Sequence, residues 1–413
     1  SKRPEMFLPS LWPTYFSKSK DCYVWDLDGK KFIDLATMSV GTNIMGYNNR
    51  QIDKEVISTI KKGNMTTLNC PEEVFLSEKL LGMHKGFDMV RYAKTGAEAN
   101  SIAIRIARAY SRKDKIAICG YHGWHDWYLA TNLENNSRLE EHLLPGLNPN
   151  GVPKGLIGTV HPFSYNKLEQ LENIIKNNKI GAVKMEVQRS EPPKPGFLEG
   201  VRRICDKNNI ILIFDECTSG FRENFGGLHK KYKIEPDMAM FGKALGNGYA
   251  ITAIIGKKEI MESAQSSFIS STFWTERIGP AAAIKTLEVM KKEKSWDTIT
   301  AKGEMLKDCW DKLGKKHLLP IKTGGLSSLA NFRFELDNHN AYKTLISQEM
   351  LKKGFLASNC VYVSIAHNDA VIDSYLNALD EIFYFIKDCE EGRKDISKLL
   401  ESEICHNGFK RLN

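Results

Sequence analysis

No apolar run in this 413-residue chain approaches the roughly 20 residues needed to cross a bilayer. Nothing like a secretory leader opens it either, so a cytoplasmic protein is expected. CxxC pairs are absent, and nine cysteines are scattered from Cys22 to Cys405, an odd count that fits reduced thiols better than a disulfide framework. There is no Walker A sequence, no GxGxxG after a strand and no HExxH, which disfavours ATP-based, NAD-based and zinc-protease chemistry. No internal repeat or low-complexity tract breaks the chain. Its hydrophobic and charged fractions, 42% and 26%, are those of an ordinary globular protein, so disorder is not expected. The length allows two or three domains, or one large α/β domain with smaller lobes.

Positive charge is the one compositional bias, with a net +8. The lysines are spread along the chain, and clusters such as Lys291-Lys292-Glu293-Lys294 are interrupted by acids. A solvated surface is therefore expected, with neither nucleic acid nor membrane as a partner.

Residues 22–29 followed by 31–34 read as a hairpin with Asp28-Gly29 at its turn. One theme then repeats. Met89–Ala93 predicts a strand, Thr95-Gly96-Ala97 a turn, and the following residues a helix to about Ser111 with Ile102, Ile106 and Ala109 on one face. Lys115–Cys119, 182–185, 210–214 and 238–242 predict further strands. Strands alternating with helices argue for a parallel sheet wrapped by helices, whose ligands sit just beyond the carboxyl ends of the strands. Thr95, Tyr121, Glu186, Asp215 and Lys243 all fall at or just past those ends. Beyond about residue 300 the rhythm changes to helices at 302–316 and 370–387, the second capped by Asn368 or Asp369. The expected division is 1–60, 61–300 and 301–413, with both terminal segments forming a small lobe.

Lys243 follows an apolar run and faces the turn Gly246-Asn247-Gly248. Burial lowers a lysine pKa and frees a neutral amine, which can form a Schiff base with a carbonyl compound or with pyridoxal phosphate. Alone, the same pattern fits a solvated side chain. A phosphate-anchored aldehyde cofactor needs three further services. Gly96 and Ala97 would offer backbone N–H groups to a phosphate at a helix start, or form an ordinary strand-to-helix turn. Asp215, after five apolar residues, would face a pyridine nitrogen, unless it or Glu216 merely caps the next segment. Tyr121 or Trp124 would stack on the ring, or belong to the core. His122 and His125 sit at i,i+3 without a third ligand of suitable spacing, so no metal is expected.

Thr95-Gly-Ala-Glu-Ala-Asn100, Tyr121-His-Gly123, Phe214-Asp-Glu-Cys-Thr-Ser-Gly-Phe-Arg222, Gly242-Lys-Ala-Leu-Gly-Asn-Gly248 and Ser271-Thr-Phe273 follow one another along the chain. In content and order these motifs resemble the class III aminotransferases, and most the branch containing glutamate-1-semialdehyde 2,1-aminomutase. The likeness runs from Trp25-Asp-Leu-Asp-Gly29 to Ser364-Ile-Ala-His367. It implies an α/β, fold type I enzyme dependent on pyridoxal 5'-phosphate. The large domain would hold a mostly parallel sheet wrapped by helices, with a small lobe from both termini, and the enzyme would be a homodimer. By the same resemblance Lys243 carries the cofactor and shuttles protons, Asp215 pairs with the ring nitrogen, Cys217 packs under the ring and Tyr121 stacks above it. Gly96 and Ala97 hold the phosphate with the partner subunit's Thr272, and Glu186 lies by the cofactor on the substrate side.

The chain departs from that pattern in several places. Ala97 stands where the family often has serine or threonine, and Val187 replaces a proline, before a shortened loop at 188–195. Trp274-Thr-Glu-Arg277 replaces a glycine-asparagine-proline stretch, and Val40, next to Ser39, replaces a large aromatic in the substrate pocket. The aminomutase's arginine for the substrate carboxylate has no clear equivalent. These changes spare the cofactor residues and fall on the substrate side. The expected activity moves an amino group from an amino donor to a keto or aldehyde acceptor bulkier than glutamate semialdehyde, such as a sugar or other cell-surface precursor. Alternatives are the aminomutase itself, a non-catalytic binding protein on the same scaffold, and a nucleic-acid-binding role for the basic surface.

Overall fold

Short runs rich in isoleucine, valine, leucine and phenylalanine, each closed by a polar or glycine-rich turn, form strands throughout the protein. The computed structural model describes Leu8 and residues 10–134, 147–188 and 190–406. These fall into two units, one of Ser1–Arg50 with Lys292–Asn413 and one of Gln51–Lys291.

In the terminal unit β1 (Phe16–Lys20), β2 (Tyr23–Asp26) and β3 (Lys31–Asp34) form an antiparallel meander. The expected hairpin is β2–β3, with Gly29 at φ 80° in its turn, a conformation that glycine adopts without strain. β1, ahead of it, was not predicted.

The central unit carries β4 (Met89–Ala93), β5 (Lys115–Cys119), β6 (Val160–Pro162), β7 (Ile180–Glu186), β8 (Ile211–Glu216), β9 (Met238–Phe241) and β10 (Thr252–Gly256). Their order in the sheet is β4-β10-β9-β8-β7-β5-β6. β6, β5, β7, β8 and β9 run parallel, whereas β10 is antiparallel to both β9 and β4. The chain between Phe241 and Thr252 is too short for a helical crossover, so β10 returns antiparallel. Two reversals leave β4 pointing the same way as β9. The carboxyl ends of β4, β5, β7, β8 and β9 therefore share one edge of the sheet.

Every residue of β7, β8 and β9 is buried, as parallel strands covered on both faces require. The Gly96–Ser111 helix lies on one face, where Ala99, Ala103 and Ala107 recur every fourth position and share a core with Ile213, Met240 and Ile254. Ile102 and Ile106 join it as expected, but Ala109 is exposed, in the last turn of the helix. Ala107 fills the buried position instead.

The terminal unit is completed by β11 (Ile321–Gly324), β12 (Leu329–Phe334), β13 (Phe355–Leu356) and β14 (Cys360–Tyr362). β13 adds to β3 in parallel, and β11, β12 and β14 form a separate sheet. The helices Ser295–His317 and Asp369–Glu390 supply its core, where the buried Trp310 ring packs on Phe332. Asn368 caps the second helix by accepting a hydrogen bond from the Val371 amide at 2.9 Å. His367 accepts from the Ser364 amide at Nδ1 and donates from Nε2 to the Asp34 carbonyl, so this motif braces the turn after β3.

Candidate active site

Thr95 closes β4 and caps the helix that begins at Gly96. Its hydroxyl accepts from the Glu98 amide at 3.3 Å while the Glu98 carboxylate accepts from the Thr95 amide at 2.8 Å. Gly96 and Ala97 form the first turn of this helix, whose dipole favours an anion. Gly123 lies directly on Ala97: a β-carbon at 123 would stand 3.0 Å from that of Ala97. A larger residue at either position would spread the two loops.

Asp215, near the end of β8, is buried, and Asp215 and Glu186 are register partners across β7 and β8. One Asp215 oxygen accepts from His122 Nδ1 at 2.8 Å and the other from the Cys217 amide at 3.1 Å. Burial alone would raise the carboxyl pKa. The Lys184 ammonium, the His122 hydrogen bond and the Cys217 amide outweigh it and hold Asp215 well below the usual carboxylate range. It is a fixed buried anion.

Cys217 links the two halves of the site. Its sulfur lies 3.6 Å from where a β-carbon on Gly96 would stand and 3.2 Å from one on Gly242. The helix start and the turn after β9 therefore close on the same side chain. Lys243 follows with φ 35°, in the left-handed region, which costs a non-glycine residue about 1–3 kcal/mol. Its Nζ donates to Thr218 Oγ1 at 2.8 Å. No role was predicted for Thr218, although it lies in the motif at 214–222, three residues after Asp215.

Glu186, at the end of β7, is buried and accepts from the Tyr121 amide at 3.0 Å. Gly120 has φ 108°, and a β-carbon there would meet the Glu186 carboxylate at 2.7 Å, so only glycine lets the Tyr121 loop dock. The Tyr121 ring is half-buried and set edge-on to Tyr128 at 5.9 Å. Trp124, the other aromatic considered for stacking, is 68% exposed and set edge-on to His125. His122 and His125 have different partners, the former Asp215 and the latter Ser101 at 2.5 Å. Among the described residues no group of three or more His, Cys, Asp and Glu side chains is placed to hold a metal ion.

Thr272 stands apart on an exposed turn, Thr272–Thr275. The residues after it do fixed structural work. Glu276 pairs with Lys94 and accepts from the Ile278 and Gly279 amides, which caps the following helix. Arg277 grips Glu72 with two hydrogen bonds of 2.8 Å. Beyond Glu186, the Val187 carbonyl accepts from Tyr165 and the Gln188 amide oxygen from Tyr232; residue 189 of the 188–195 loop lies outside the described residues. Ser39 and Val40 belong to the terminal unit, where Met38, Ser39 and Val40 take three successive left-handed conformations. For a β-branched residue such as Val40 this is a rare backbone.

The residues at the sheet edge are the right donor set for a phosphate-bearing aromatic aldehyde. They comprise a helix start lined by small residues, a buried anion, a cysteine side chain set closely against Gly96 and Gly242, and a lysine amine. The class-III aminotransferase family profile matches residues 10–382. The 3-aminobutyryl-CoA aminotransferase of Cloacimonas acidaminovorans is 33% identical over 97% of this chain and 93% of its own. The glutamate-1-semialdehyde 2,1-aminomutase of Methanococcus maripaludis is 30% identical over 89% of this chain and 91% of its own. Among solved structures, the FumI protein of a Sphingopyxis species superposes with a TM-score of 0.84 at 23% identity, covering 97% of this chain and 95% of that one. An omega-transaminase from Sphaerobacter thermophilus does so with a TM-score of 0.81 at 20% identity, covering 93% of each chain. These last two likenesses establish the fold.

Proposed function

Because this chain belongs to the class-III aminotransferases, a family of pyridoxal-phosphate enzymes, we propose that it passes an amino group from an amino donor to a carbonyl acceptor larger than glutamate semialdehyde. When bound, pyridoxal phosphate supplies an aldehyde that links to amines and a ring that draws electrons from the substrate carbon. The first-turn amides of Gly96 and Ala97 would hold its phosphate. Asp215 would keep a proton on its ring nitrogen, Cys217 would pack against one ring face and Tyr121 against the other. Glu186 fixes the Tyr121 loop and would border the substrate side.

Lys243 Nζ is the proton carrier in this reading. It would take a proton from the substrate carbon and return it to the carbon on the other side of the nitrogen being transferred, the basic amine being held meanwhile by Thr218. The observation that carries the proposal is the meeting of Lys243, Cys217 and the anionic Asp215 at one sheet edge.

The acceptor class rests on Val40 in place of a large aromatic. That smaller side chain favours a sugar or other cell-surface precursor, and the name of the relative from Cloacimonas favours a keto acyl-CoA thioester. The strained backbone at Ser39 and Val40 supports giving them a substrate role. A homodimer is supported by exposed apolar side chains in the central unit, among them Leu68, Phe75, Phe268 and Phe273, and the partner subunit's Thr272 would reach the phosphate. A cytoplasmic location fits the nine free cysteines; no helix among the described residues is long and apolar enough to cross a membrane.

The purified protein given pyridoxal phosphate should show a visible absorption band that Lys243→Ala abolishes. A colourless wild type would leave only the binding-scaffold alternative. Donors are then screened by loss of that band, and acceptors by its return, with aldehydic or keto sugars, keto acyl-CoA thioesters and glutamate semialdehyde compared. Turnover of glutamate semialdehyde without any donor would favour the aminomutase instead.

A further inference from the structure

Lys184 is a fully buried lysine in the middle of a central strand, where an apolar side chain would pack without the cost of desolvating an ammonium. Its Nζ donates to the Met240 sulfur at 2.8 Å, a weak acceptor. Alternation along β7 puts residues 182, 184 and 186 on one face. The parallel register sets Lys184 beside Ile213 and Glu186 beside Asp215, so Lys184 lies one rung behind the site on the same face. The charges that act on it are Asp215 on β8 and Glu186 on its own strand. The Cys217 thiol just past β8 also faces it, but burial pushes its pKa well up and keeps it neutral. β5 sets Ile118 beside it and β9 contributes Met240. Burial pushes the Lys184 pKa down, and Asp215 is the strongest influence pulling it back up.

We propose that Lys184 is a positioning residue for the cofactor, a buried counter-charge to Asp215 that limits how firmly the pocket holds a proton on the ring nitrogen. The inference rests on the reading of Asp215 as the partner of that nitrogen. With Lys184 charged, the carboxylate is already matched before any cofactor arrives. A protonated ring then becomes the second cation facing one anion, and gives up its proton at a lower pH than Asp215 alone would enforce. The electron demand of the ring, and with it the working pH range, is thereby set from behind the sheet.

The test uses the full chain loaded with cofactor labelled at the ring nitrogen, whose protonation is followed by NMR. Lys184→Met should move the midpoint up by about one pH unit. An unmoved midpoint, or a wild-type nitrogen that stays protonated at every pH the protein tolerates, overturns the proposal. A second readout needs no cofactor. In the apoprotein Lys184→Met and Asp215→Asn should each lower the unfolding midpoint, and the double variant should recover part of the loss because no unmatched buried charge remains. Should Lys184→Met fail to fold, the double variant is still expected to fold; its failure, or strict additivity, counts against the pairing. If wild type never acquires a visible band, the cofactor reading itself is wrong. A normal band lost in Lys243→Ala, together with an unmoved Lys184→Met midpoint, rejects only the role of Lys184.

Discussion

Asp215 and Glu216 are neighbours in β8, both buried, each meeting a histidine Nδ1, at 2.8 Å and 2.6 Å respectively. Strand alternation sends them to opposite faces, and there the likeness ends. Glu216 accepts from the Ser219 hydroxyl, the Leu228 and His229 amides and the His229 ring, which ties the end of β8 to the Leu228–Tyr232 helix. Its carboxyl would be raised by burial but is brought below the usual range, chiefly by the His229 hydrogen bond. Asp215 accepts from His122 and the Cys217 amide. Burial would raise its pKa, and the largest of the influences that bring it down is a lysine that makes its own hydrogen bond elsewhere. A carboxylate saturated by its own fold is a brace; one held anionic with accepting capacity to spare is equipped to meet a ligand.

That contrast fails if neutral amides act alike at the two positions. Asp215→Asn should lower kcat for amino transfer by about a thousandfold, measured at saturating donor. Its loss in unfolding midpoint should come from the unmatched Lys184 and be partly restored by adding Lys184→Met. Glu216→Gln should act chiefly on stability. It replaces an acceptor of four bonds by a group that must also donate, and denaturant titration should show a loss of about 3 kcal/mol, with kcat of the folded fraction nearly unchanged.

The brace side should also show in acid. His84 stacks on His229 at 5.3 Å, and burial pushes its pKa from 6.5 down to about 4. Below pH 6.5 the unfolded chain takes up a proton that the folded protein refuses until about pH 4. Stability is therefore complete above that window and falls as pH drops through it, by up to about 3 kcal/mol. His367 in the terminal unit is depressed in the same way, so the share of His84 is the difference in slope between wild type and His84→Gln. The smallest effect is expected at Thr218. Thr218→Val removes the hydroxyl that holds Lys243 and should cost roughly tenfold in kcat with little change in KM.

Much of the central unit was legible because its strands are short apolar runs with a polar residue at the carboxyl end. That pattern made Asp215 and Lys243 candidates, and the ordered motifs singled them out. The helix from Gly96 was legible from the turn before it and its face of Ile102 and Ile106; the Thr95…Glu98 box that caps it emerged only in the structure. β10 escaped because nothing in Thr252–Gly256 marks it as antiparallel; the shortness of the link after Lys243 decides that. His122 and His125 suggested a pair by spacing, yet the loop turns one toward Asp215 and the other toward Ser101. Lys184 carried no signal at all, since a lysine inside an apolar run is indistinguishable in sequence from one at a strand edge.

Local chemistry, then, was determined by the sequence itself. Which residues can carry an amine, a carboxylate or a helix cap, and which runs must be buried, follows from side-chain type and from periods of two and 3.6 residues. Partnership was decided only by the tertiary structure. Whether a buried carboxylate is saturated or left with accepting capacity, and whether a distant lysine lies one rung behind it, depends on strand register and on which face each residue takes. Those are set by the packing of the whole sheet, not by any neighbour along the chain.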